Sequence, residues 1–260
     1  MTDWTKAKVL VTGGTQGIGR AVAQKLLERG AWVTIVGRDA ERTQAASESL
    51  ASHGGRVFGV AMAIDGREEV GRLIVDEAVH LMNGLTAVVN AAGGAPVGHA
   101  LTLDWNIWRH DWDVKFWGYL SIMRAAADYL EPGGAIVNIL GIAGVDPNAR
   151  LASGTTINGA LRGLTKILAD DLAPRRIRVV AVNPSATETD LLMRMAEQYA
   201  ALYQLTFEES LRRLRSAAPL GELPQAGDVA AAVLFLLSDS ARMITGSSID
   251  IDGGMRRGPA

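Results

Sequence analysis

The sequence predicts a doubly wound α/β domain, a seven-stranded parallel sheet with helices on both faces. Three observations predict it. Short runs rich in Val and Ile alternate with helical patterns along the whole chain. A glycine-rich turn, Thr12-Gly13-Gly14-Thr15-Gln16-Gly17-Ile18-Gly19, joins the first of these runs to a helical one. The 260 residues suffice for one large core, with no repeat, linker or low-complexity tract, so residues 1–260 read as a single dinucleotide-binding domain.

The strand candidates are residues 9–12, 32–37, 57–62, 87–90, 135–139, 178–183 and 248–251. Each is a short apolar run, as strands buried on both faces require. Helical patterns fill the intervals at 19–29, 41–52, 68–82, 105–130, 155–173 and 228–237. Gly30, Gly84 and the pair Gly133-Gly134 read as helix stops. Residues 189–216 are helical, rich in Met, Leu and Arg, and contain no strand. Inserted before the last strand, this segment would overhang the carboxyl edge of the sheet, where ligands bind, and is expected to be a substrate lid; the alternative is an ordinary pair of surface helices.

Net charge is −2, which excludes a dedicated nucleic-acid surface, and the absence of cysteine excludes disulfides and a thiol nucleophile. No 18-residue uncharged run and no apolar signal core occur, so no membrane partner and a cytoplasmic location are expected. No metal site is expected.

Strand, glycine turn and helix start together bring a phosphate onto backbone N–H groups and a helix N-terminus. The second strand ends Val36-Gly37-Arg38-Asp39. A residue about twenty positions past the turn meets the adenosine ribose. Arg38 offers a fork suited to a 2′-phosphate, so NADP is expected rather than NAD. The alternative for Arg38 is a solvated turn residue.

Four further stretches carry a resemblance: Asn90-Ala91-Ala92-Gly93, the segment 177–185, Pro219-Leu220-Gly221 with Asp228-Val229-Ala230, and the ending Ile249-Asp250-Ile251-Asp252-Gly253-Gly254. With the opening turn they resemble, in order and from Lys8 to Gly254, the short-chain dehydrogenase/reductase family. The resemblance implies a Rossmann-type fold with a cofactor across the carboxyl edge of the sheet. It implies that Gly13, Gln16, Gly17, Ile18 and Gly19 surround pyrophosphate and ribose. Ile64, Asn90 and Gly93 would lie on the adenosine side, and Pro184, Thr187 and Thr189 at the nicotinamide end. The family's adenine-contacting Asp falls on Ala63, with Asp65 close by, and its Pro-Gly becomes Pro184-Ser185.

The family uses a Tyr with a Lys four residues on, a Ser about thirteen before the Tyr, and an Asn on the long helix after the fourth strand. In residues 136–144 the Ser position falls on Gly141. Counting from there, and independently from the match at Ala160-Leu161-Arg162-Gly163, the Tyr position is Gly154 and the Lys position Asn158. The pattern Trp108-x5-Val114-Lys115 places the Asn position at Lys115. The four tyrosines, Tyr119, Tyr129, Tyr199 and Tyr203, all lie far from residue 154 in sequence.

Glycine carries no proton, so ordinary Tyr-dependent transfer is excluded. Lys115 and Asn158 remain as candidate catalytic residues, an ammonium and an amide facing the pocket from exchanged sides; the alternative is unrelated drift. Asn148, Arg150, Ser153, Thr155 and Thr156 offer polar contacts around the widened pocket, although Ser153 and Thr155 also suit helix capping. His110 and Asp111 are adjacent on a helix, point about 100° apart and are read as surface residues. Trp105, Trp112 and Trp117 are read as core or subunit contacts.

Three functions stay open. One is an NADP-dependent oxidoreductase on a carbonyl or alcohol, with atypical catalytic residues. Another is a catalytically silent NADP(H)- or metabolite-binding member, acting as sensor or partner subunit. The third is a non-redox isomerase, dehydratase or lyase. The ligand is a small molecule, partly apolar by the character of the lid. A homodimer or homotetramer is implied through the helices at 105–130 and 155–173.

Overall fold

The structure is a computed structural model and describes residues 2–257. The seven apolar runs are its strands: β1 (Lys8–Thr12), β2 (Trp32–Gly37), β3 (Arg56–Ala61), β4 (Ala87–Asn90), β5 (Ala135–Ile139), β6 (Arg178–Pro184) and β7 (Ser248–Ile251). All pair in parallel, in the order β3-β2-β1-β4-β5-β6-β7. Val11 sits between Ile35 of β2 and Val89 of β4. The order of winding reverses between β1 and β4, and that switch point opens a crevice at the carboxyl edge.

The helices divide over two faces because side chains alternate along each strand. Leu10 belongs to one core, with Ile74 and Met82 of α3 (Glu68–Met82), Ile122 of α5 (Gly118–Ala127) and Leu161 of α6 (Ala152–Leu172). Val9 and Val11 belong to the other, with Leu26 of α1 (Gly17–Leu27), Leu50 of α2 (Ala40–Leu50) and Val233 of α9 (Ala226–Leu237). Residues 190–215 form α7 (Asp190–Tyr203) and α8 (Phe207–Arg215), held by a small core of Leu192, Ala196, Leu211, Ala218 and Leu223.

Two expected helices differ in ways that bear on the site. The pattern at 105–130 is α4 (Trp105–Trp112), a π-helical turn (Asp113–Trp117) and α5, which stops at Ala127 ahead of Pro132. The residue before a proline is disfavoured in helical conformation, and Leu130 instead turns into the core. Helix α6 begins at Ala152 rather than at 155, because Ala152 and Ser153 are buried against the structure instead of forming an exposed cap. Elsewhere the boundaries move by one or two residues: β3 is Arg56–Ala61, β6 reaches Pro184, and α1, α2 and α9 start one or two residues early. Among the described residues no helix is long and apolar enough to cross a membrane.

Candidate active site

The glycine turn is built by backbone conformations that a side chain disfavours. Gly13 and Gly17 lie at φ +64° and +55°. A Cβ at Gly19 would stand 2.4 Å from the carbonyl oxygen of Gly13, so this turn closes only on glycine. The Thr12 hydroxyl accepts from the N–H groups of Ala91 and Ala92 (3.0 and 3.3 Å), which ties the turn to the loop after β4. Thr189, first residue of the lid segment, lies across from the turn: a Cβ at Gly17 would be 3.6 Å from its methyl group. Thr189 Oγ1 donates to Thr187 O, and Thr187 Oγ1 to Ser185 O, so the chain leaving Pro184 is braced along the crevice.

Beside the turn runs a cleft of about 700 Å³, lined by Gln16, Arg20, Arg42, Asp190, Met193 and Arg194 among others. Arg38 is exposed at the end of β2. Its acidic neighbour is otherwise engaged: Asp39 caps α2, its carboxylate accepting from Arg42 N at 2.8 Å. A carboxylate bonded to a helix N-terminus is a poor partner for ribose hydroxyls. A dinucleotide with a 2′-phosphate therefore fits the residues present: left-handed glycines at the turn, a helix N-terminus behind them, and guanidinium groups where the adenosine end falls.

Other predicted contact residues also make contacts within the fold, although Asn90 Oδ1 is buried with no hydrogen-bond partner among the described residues. Asn90 is fully buried, and its Nδ2 donates to Asn138 Oδ1 at 3.0 Å, which joins β4 to β5. Asn138 in turn donates to Thr165 Oγ1 at 3.1 Å. Ile64 packs on the start of α5, where a Cβ on Gly118 would be 2.3 Å from its Cγ2. Asp65 is paired with Arg67, whose guanidinium donates to it at 2.7 Å.

At the end of β5, two of the positions aligned with the family's catalytic groups meet, Gly141 and Asn158, and Lys115 reaches the residue before Gly141. Gly141 follows β5, and a Cβ there would stand 2.8 Å from Asn158 Nδ2. The Asn158 amide thus occupies space that a side chain at 141 would claim. Its Oδ1 is buried and has no hydrogen-bond partner. A Cβ at Gly154 would meet nothing within 4 Å.

Lys115 lies in the middle of the π-helical turn, a local widening frequent at functional sites. Its side chain is buried, and Nζ donates to Leu140 O at 3.0 Å, one residue before Gly141. Burial pushes the ammonium down to about 8, and the carboxylate of Asp111 opposes this.

Asp111, expected on the surface, is buried (6% exposed), and its Oδ2 accepts from Ser153 Oγ at 2.7 Å. The reason is tertiary: α6 packs on α4 and turns that face inward. His110 beside it is exposed. Ser153 therefore serves a side-chain contact rather than a cap. Thr155 Oγ1 bridges to the Asn148 backbone instead of capping the helix. The inward position of Asp111 escaped sequence reasoning, although it stands four residues before Lys115, a spacing that places two helical side chains on one face.

Two lid tyrosines come close to this loop through folding. Arg150 stacks over the Tyr203 ring (5.1 Å), Tyr203 Oη lies 3.5 Å from His99 Nε2, and Gln198 Oε1 accepts from Val97 N at 2.9 Å. Helix α7 is thus closed over the loops that follow β4 and β5.

A strand–glycine-turn–helix crevice at the switch point of a doubly wound parallel sheet defines a Rossmann-type α/β fold. The family model described as enoyl-(acyl carrier protein) reductase matches residues 13–256. The chain belongs to the short-chain dehydrogenase/reductase family. It is 33% identical to the 3-oxoacyl-(acyl-carrier-protein) reductase of Aquifex aeolicus (strain VF5), over 95% of this chain and 96% of that one. It is 34% identical to the 4-formylbenzenesulfonate dehydrogenase of Comamonas testosteroni, over 96% and 97%. Among solved structures it resembles a short-chain dehydrogenase from Burkholderia cenocepacia J2315 in complex with NADP, with TM-score 0.85, 32% identity, and 98% and 99% of the two chains covered.

Proposed function

We propose that this chain is an NADP(H)-dependent oxidoreductase of a carbonyl–alcohol pair in which Lys115 carries the proton that a tyrosine carries elsewhere in the family. The observation that supports it most is the Lys115 ammonium at the carboxyl end of β5, hydrogen-bonded to Leu140 O. The bonded Leu140 directly precedes Gly141 in the chain. NADP(H) is favoured over NAD(H) by the exposed Arg38, by the use of Asp39 as a helix cap, and by the NADP held in the similar Burkholderia protein.

NADPH, when bound, supplies a hydride to the carbonyl carbon. The residues of this chain do the rest. Glycines 13, 17 and 19 with the α1 N-terminus hold the pyrophosphate, Arg38 the 2′-phosphate, and Thr187 and Thr189 the nicotinamide end. Lys115 gives a proton to the carbonyl oxygen and is re-protonated from water. The lid helices α7 and α8 exclude solvent, and α7 presents Met193 to the cleft.

Fluorescence titration with NADPH, followed by a screen of aldehydes and ketones for NADPH consumption, tests this reading. Tight binding with consumption by at least one carbonyl supports it. Tight binding with no consumption overturns it in favour of a silent NADPH-binding member, for which the glycines at 141 and 154 speak. The exposed apolar side chains Trp105, Ile107, Trp117 and Ile167 (68%, 46%, 46% and 58% exposed), which lie within residues 105–130 and 155–173, are the proposed contacts of a homodimer or homotetramer. Light scattering is expected to give two or four chains; a monomer at assay concentration would refute that assembly.

A further inference from the structure

Three groups outside the family's usual set come together where α4 and the π-helical turn meet the start of α6. Lys115 leans its stem against the loop after β4, where a Cβ on Gly93 would be 3.1 Å from Lys115 Cδ. Asp111 leans against the next residue of that loop, its Oδ1 4.0 Å from where a Cβ of Gly94 would stand. Both side chains thus rest on consecutive residues of one loop, four positions apart on one helix. Ser153, fully buried on α6, fixes the other carboxylate oxygen at 2.7 Å. Burial raises the Asp111 carboxyl above its usual range, and the Ser153 hydroxyl donating to Oδ2 and the charge of Lys115 both oppose this by favouring the ionised form.

Desolvation would otherwise drive a lysine in this place to its neutral form, and a neutral amine gives no proton to a carbonyl oxygen. Among the described residues, Asp111 is the one counter-charge that acts on Lys115. Leu140 and Gly141 after β5 offer a carbonyl, Asn158 of α6 an amide, and Gly93 backbone alone. Tyr119 is neutral, its Oη donating to Ile139 O at 3.1 Å, and burial pushes its phenol further up.

We propose that Asp111, locked by Ser153, is the positioning residue that keeps Lys115 charged as the proton donor of this site. Asp111 does not itself touch the substrate oxygen. The proton that Lys115 gives up leaves a transient carboxylate–amine pair, and that unbalanced charge favours prompt recovery of a proton from water. This inference rests on the proposed role of Lys115 in turnover.

The test separates the two. In protein labelled with ¹⁵N-lysine, the Nζ resonance of Lys115, one of five lysines, is assigned by its loss in Lys115→Met. Its titration is followed without cofactor or substrate. The midpoint is expected near the value set by burial and Asp111 together, about 8. It falls by about one pH unit or more in Asp111→Asn, since a nearby opposite charge supports the charged form by about 1–3 units. Asp111→Glu restores most of it, and Ser153→Ala gives a smaller fall in the same direction.

An unchanged midpoint in Asp111→Asn overturns the proposal. If that variant fails to fold, Ser153→Ala decides, and an unchanged midpoint there overturns it too. The pH–rate profile of carbonyl reduction then reports on the other reading. Its alkaline limb should move with the titration midpoint. A midpoint that moves while the rate profile stays put leaves Asp111 as the partner of Lys115 and removes Lys115 from turnover.

Discussion

Lys115→Met is expected to cut carbonyl reduction by about 10²–10⁴-fold, the usual worth of a positioned acid, and to leave NADPH affinity within about twofold. Steady-state rates and fluorescence titration read the two effects separately. A loss caused by unfolding would look different, and the sign can be worked out. The folded-state midpoint of Lys115, about 8, lies below the unfolded value of roughly 10.4. Between those values the unfolded chain binds the extra proton, so this group's contribution to stability rises with pH across that window and is unfavourable below it. The Met variant should therefore lack this group's pH dependence, both its unfavourable contribution at pH 7 and its gain in stability between about pH 8 and pH 10.4. Urea melts at pH 7 and pH 10 check both points. Full activity in Lys115→Met would end the reading of this residue as the proton donor.

Arg38→Ala is expected to weaken NADPH binding by about 10- to 100-fold, the worth of a hydrogen bond between charged partners, and to change NADH binding by less than about threefold. Asp39 makes this a clean test. Its carboxylate holds the first turn of α2 through Arg42 N, so the NADPH loss in Arg38→Ala reads the guanidinium alone. Equal losses for NADPH and NADH would show that Arg38 only shapes the turn, and would leave the guanidinium groups of Arg20, Arg42 and Arg194 in the adjoining cleft as the 2′-phosphate partners.

Much of this molecule can be read along the chain. Period and composition mark all seven strands, because a strand buried on both faces has to be apolar nearly throughout. The glycines of the turn are equally legible, since Gly13 and Gly17 occupy left-handed backbone that L side chains resist, and Gly19 sits where any side chain would strike the turn. The glycines at 141 and 154 are visible in sequence too, and glycine brings no functional group of its own.

What sequence alone determined, then, is the sheet, the glycine turn after its first strand, the arginine at the end of the second and the glycines at 141 and 154. Tertiary structure decided what surrounds them. It turned Asp111 inward against Ser153, 42 positions away, and set Lys115 in a π-helical turn under Leu140. It also put Asp39 on a helix cap and Asn90 in a buried amide chain with Asn138. The physical reason is that periodicity reports which face of an element is buried but not which polar group waits on the opposing element. A buried aspartate or lysine is tolerated only where a distant partner satisfies it, and that partner is fixed by packing.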